Sequence, residues 1–142
     1  MNPSDLIHLV IGQSGEYSSH STWVVCWYEE KKKAIEHVLT ANATVEEIWE
    51  KIEAVHQQNS EWHEEKRQSI PPKDWNAFWL SEAFQSHDRS VRAAVCELLR
   101  QVKDPMLEKE GWTASRPWYS VETVSRGFLE HPIVKEATEG KV

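Results

Sequence analysis

Apolar residues alternate with period two near both ends of the chain and recur at helical spacing between them. Leu6 to Ile11 (LIHLVI) predicts a strand, with Ile7, Leu9 and Ile11 on one face and Leu6, His8 and Val10 on the other. Thr22 to Tyr28 (TWVVCWY), rich in aromatic and β-branched residues, predicts a second. Strict alternation puts Trp23, Val25 and Trp27 on one side of it and Val24, Cys26 and Tyr28 on the other. Both faces of both strands are apolar, whereas a sheet with one wet face alternates more cleanly. Each side therefore needs a cover, from the chain's own helices or from another subunit.

The middle of the chain reads as helix. Glu29 to Leu39 (EEKKKAIEHVL) places Ala34, Ile35, Val38 and Leu39 on one side, and the TANAT segment is expected to break it. Thr44 and Glu47 match a capping box. They predict the start of a longer helix with the stripe Val45, Ile48, Trp49, Ile52, Val55 and Trp62, running to about Gln68. Ile70-Pro71-Pro72 stops it. Asp74 can cap a helix to about Gln85 carrying Trp75, Phe78, Trp79 and Phe84. Asp88 or Ser90 can cap the next, with Val91, Ala94, Val95, Leu98, Leu99 and Val102, ended by Asp104-Pro105. Met106 to Ser115 reads as loop with room for a helical turn, and Pro117 to Val124 as a third strand.

Strands and helices are segregated, which predicts the α+β class rather than alternating α/β. The expected architecture is a small antiparallel sheet, an N-terminal hairpin plus a C-terminal strand, packed with a helical insert of three to four helices. The third strand is expected to pair with the first. Residues 1–128 then form one α+β domain, and 129–142 a polar C-terminal tail expected to fray.

Composition narrows the function. The 142 residues include eight Trp, more than so small a core readily hides, so an oligomer interface or a ligand site is expected to use some. The net charge of −7 disfavours nucleic acid as a partner, because such binding neutralises phosphates. Cys26 and Cys96 lie far apart in apolar contexts without CxxC spacing, which reads as two buried free thiols in a reducing, cytoplasmic setting. No apolar run approaches the ~20 residues of a membrane span.

The connection IGQSGEYSSHS carries the most chemistry. It is long for a hairpin. Gly12 and Gly15 can adopt positive φ and aim backbone N–H groups at a ligand. Glu16, Tyr17, Ser18 and His20 add an acceptor, a stacking ring, a hydroxyl and a titratable donor. If the third strand runs antiparallel to the first, Arg116, Trp118 and Tyr119 arrive beside this loop. A guanidinium and aromatic rings meeting a Gly-rich loop suit a nucleotide-like ligand. Lys31-Lys32-Lys33 opens a helix, where the macrodipole disfavours cations; a solvated turn is the simpler reading of it.

Other motifs fail on context. Glu53-x-x-His56 lacks the second copy that a di-iron site requires. There is no GxSxG elbow and no Walker loop, and the glycines after the first strand lead into a strand rather than a helix. No catalytic set, metal site or cofactor is expected.

A first strand ending in Gly15-Glu16-Tyr17-Ser18, a Trp-containing strand and a helix of the EEKKKAIEHV kind resemble small phage anti-defence proteins. The resemblance is to the sponge that sequesters the cyclic ADP-ribose signal of the Thoeris system. It covers roughly the first forty residues and the strand from Tyr119 to Val124. It implies a non-enzymatic, homo-oligomeric protein in the host cytoplasm, with nucleotide-signal pockets at subunit interfaces. The alternative is a protein inhibitor of a host defence complex acting through a Trp-rich surface, in the manner of anti-CRISPR proteins.

Overall fold

The computed structural model describes residues 5–15, 20–132, 134, 137, 139 and 140. Strands β1 (Leu6–Ser14), β2 (Ser21–Tyr28) and β3 (Trp118–Ser125) form an antiparallel sheet in the order β2-β1-β3. Four helices separate β2 from β3: α1 (Lys31–Ser69), α2 (Trp75–Trp79), α3 (Glu82–Arg100) and α4 (Pro105–Glu110). The α+β class, the N-terminal hairpin and the pairing of the third strand with the first follow the sequence expectation.

The register of the hairpin differs in one respect. Val10 faces Cys26 and Ile11 faces Val24, so Val25 is the extra residue of a bulge. A bulge reverses the phase of alternation. Trp23 therefore joins Cys26 and Tyr28 on the helix-covered face, while Val24 and Trp27 share the other. Strict alternation had placed Trp23 with Trp27.

α1 is one helix of 39 residues, about 58 Å long, and TANAT does not interrupt it. Ala41 and Ala43 are strong helix formers. Asn42, the residue that most favours a break, is held by β3. Its side-chain amide donates to the Tyr119 carbonyl at 3.1 Å, and its Oδ1 accepts from the Tyr119 N–H at 2.9 Å. β3 is an edge strand, so these backbone groups face away from β1 and Asn42 supplies the missing partner. The helix-face core joins Val45, Ile48, Trp49 and Ile52 of α1 to Val95 and Leu99 of α3 and to Val10, Cys26 and Tyr28 of the sheet.

The second break also moves. α3 begins at Glu82, not near Asp88, because Ser81 caps it by accepting from the Phe84 N–H at 3.3 Å. This leaves α2 as a five-residue helix ending at Trp79, where the sequence pattern extended to Gln85.

The other face of the sheet is covered by the chain itself. Ile7, Leu9 and Ile11 pack with Val134, and Phe128, Leu129 and Ala137 lean on that cluster. The Gly140 N–H donates to the Trp27 carbonyl at 2.7 Å, and Glu139 bridges to Trp27 in parallel. The segment after Leu129, read as a frayed polar tail, thus supplies apolar residues to a second core. A second subunit is not needed to explain the apolar character of this face.

Two substitutions test these packings. Trp49→Ala should cost about 3–5 kcal/mol in chemical denaturation, as large-to-small truncation in a core does. Val134, 1% exposed, becomes a buried carboxylate in Val134→Asp, which should lose about 2 kcal/mol or more. A melting temperature unchanged by Val134→Asp would mean that the C-terminal segment leaves the sheet in solution.

Candidate ligand-binding site

The described ends of the β1–β2 connection lie beside the start of β3, as the strand order requires. Gln13 lies opposite Trp118 and Gly12 opposite Tyr119. The His20 ring stacks on Trp118 with centroids 6.0 Å apart and planes 21° apart, and His20 Nε2 lies 3.1 Å from Gln13 Oε1. Trp118 is 44% exposed, and exposed Arg116 lies two residues before it. Gly15 has φ 80°, the left-handed value that the loop reading required. Glu16, Tyr17 and Ser18 lie outside the described residues.

Two residues assigned to this site do other work. Tyr119 faces the helices, not the loop, because adjacent strand residues point to opposite sides. It is buried, and its hydroxyl donates to Asp104 Oδ2 at 2.6 Å. Gly12 lies within β1 and does not have positive φ; its task is space. A Cβ there would enter the Trp23 indole.

Asp104 was legible only as part of a helix stop. It caps α4, accepting from the Met106 N–H at 3.0 Å, with Pro105 as first helical residue. Its carboxylate, 1% exposed, also accepts from Trp23 Nε1 at 2.9 Å. Burial and the Asp104 carboxylate together push the Tyr119 phenol far above its ordinary value, so it remains a donor. Nearby, the Tyr28 hydroxyl lies 2.8 Å from His37 Nδ1, and Cys26 Sγ lies 3.6 Å from the same nitrogen. Burial pushes the Cys26 thiol up to about 11, which removes thiolate character at neutral pH.

The surplus Trp residues separate by role. Trp23 and Trp49 are core, and Trp27 lies against the C-terminal segment. Trp112 carries Arg92 over its ring at 4.4 Å. Trp62, Trp75 and Trp79 gather with Phe78, Phe84, His63 and His87 at the far end of the α1–α3 hairpin. There Trp62 stacks on His87 at 3.7 Å with planes 8° apart. A cavity of about 320 Å³ opens between His63, Arg67, Trp75 and Trp79. Glu53 and His56 are both exposed, and among the described residues no three His, Cys, Asp or Glu side chains converge as metal ligands. No described helix is long and apolar enough to cross a membrane.

In comparisons with protein families, curated proteins and solved structures, no match to this chain was found.

His8, His37 and His87 all have pKa values below the ordinary 6.5, and burial is the leading cause for each. On unfolding, each regains its higher affinity for a proton. The unfolded chain thus binds more protons below about pH 6.5, and folded stability falls as pH drops through that value. The melting temperature should be lower at pH 5.5 than at pH 7.5, with a shallower dependence in His87→Gln. A melting temperature that rises on acidification would contradict these neutral histidines.

Proposed function

We propose that this chain binds and sequesters a small nucleotide-derived ligand and performs no chemistry on it. The observation that carries the reading is the His20–Trp118 ring pair at the start of β3, with exposed Arg116 two residues earlier in the chain. A partly exposed indole such as that of Trp118 offers a base a stacking surface worth about 1–3 kcal/mol. The guanidinium of Arg116, two residues before it in the chain, is of the kind that offers a phosphate paired donors. A role as a phage anti-defence sponge for a cyclic immune signal, homo-oligomeric and acting in the host cytoplasm, belongs to the same proposal. It rests on the resemblance of the first forty residues. The covered second face of the sheet leaves the self-association to other surfaces.

Calorimetric titration with a cyclic nucleotide panel, cyclic ADP-ribose included, tests the reading. Trp118→Ala should weaken the tightest ligand by about 5- to 150-fold, and Arg116→Ala should weaken it comparably with a smaller salt dependence. Both residues are exposed, so both variants should melt as the parent does. Ligand released unaltered on denaturation fits sequestration, and altered ligand points to an enzyme. If no nucleotide binds, or if neither substitution changes affinity, the reading fails.

A second reading draws on the far end of the helical hairpin. Trp79 is 42% and Leu80 83% exposed beside the His63–Arg67–Trp75–Trp79 cavity. Exposed aromatic anchors next to a cavity are what protein–protein hot spots use. On this reading the chain blocks a host defence complex, and Trp79→Ala, not Trp118→Ala, abolishes its effect.

A further inference from the structure

A groove of about 480 Å³ has a lining that includes no residue of the β1–β2 loop or of β3. One wall is the first turns of α1, the other is the link between α3 and α4, and Tyr28 at the end of β2 forms part of the lining. In a chain of net charge −7 this groove concentrates donors: Lys33, His37, Thr40 and Thr44 from α1, and Gln101 and Lys103 from the link. Glu36 is the one carboxylate among its lining residues. The volume falls in the range of small-molecule sites, about 300–1,000 Å³.

Both lysines occupy positions that local physics disfavours. Lys103 has φ 59°, the left-handed region, which is unfavourable for a residue with a side chain and which glycine takes freely. Lys33 sits in the first turn of α1, at the positive end of the helix macrodipole. Its only ion-pair partner among the described residues is Glu30 at 3.6 Å, with both side chains largely exposed, a weak pairing. Lys103 has no carboxylate partner among the described residues. Both line the same groove, from α1 and from the α3–α4 link, together with the hydroxyls of Thr40 and Thr44 and the amide of Gln101. An anion there would relieve the electrostatic cost at Lys33 and engage Lys103 from the opposite wall.

We infer that this groove is a binding site for a small phosphorylated ligand, its anionic groups held between Lys33 and Lys103 and its polar remainder by Thr40, Thr44 and Gln101. Its lining shares no residue with the Trp118 edge, and the inference is independent of the function proposed for that edge. Inorganic pyrophosphate is the probe, titrated calorimetrically at low ionic strength. Lys33→Gln and Lys103→Gly should each weaken it by about tenfold. Glycine suits the backbone at 103, so Lys103→Gly should melt at or above the parent temperature, which separates lost binding from lost folding. Lys32→Gln removes the same charge one residue away, outside the groove lining, and should change affinity less than twofold; Trp118→Ala should not change it at all. The inference is overturned if pyrophosphate does not bind, if Lys32→Gln weakens it as much as Lys33→Gln, or if Lys103→Gly retains full affinity.

Discussion

One buried carboxylate ties the sheet to its helical cover. Asp104 accepts the Trp23 indole N–H from β2, the Tyr119 hydroxyl from β3 and the Met106 N–H from α4. An isolated buried charge is costly unless its acceptor sites are filled. Here they are filled by donors from three elements, so the carboxylate is stable only when all three are docked together. That dependence fixes the α3–α4 link against the sheet and, with it, the wall of the groove that Lys103 lines. Gly12 belongs to the same arrangement, because only a residue without Cβ lets the Trp23 ring reach Asp104.

A second constraint is the edge of the sheet. β3 pairs with β1 on one side only, and its outward N–H and C=O at Tyr119 are met by a single amide side chain from α1. The same contact explains why the chain stays helical through Asn42. Tertiary bonding to β3 holds Asn42 in the helix, outweighing a local preference for a turn. The long helix then carries two loads. Its first half builds the core, and its second half reaches past the sheet to the aromatic cluster, where Trp62 and His87 lock it to α3.

The candidate sites were unequally legible. Convergence of His20 and Trp118 followed from strand order, since an antiparallel partner of β1 must start where β1 ends. The orientation of Tyr119 also follows from alternation once Trp118 is placed on the loop side. The groove was out of reach. Lys33 belongs to a run that reads as a solvated helix start, and Lys103 sits in a stretch that reads as a helix stop. Nothing in either pattern says that they line the same groove. Lys103 in the left-handed conformation is a property of the folded link, and its sequence context, Val102-Lys103-Asp104, contains no glycine to announce it.

By itself the sequence determined the three strands, their antiparallel order and the apolar stripe of the central helix. Each rests on a short-range repeat, period two or 3.6, that burial imposes directly on residue type. The tertiary structure alone decided the unbroken course of α1 through Asn42, the phase reversal at Val25 that sends Trp23 to Asp104, and the return of Val134 to the far face of the sheet. These depend on contacts between residues distant in sequence. A hydrogen bond or a packed methyl group formed across such a distance leaves no periodic trace in the chain that makes it.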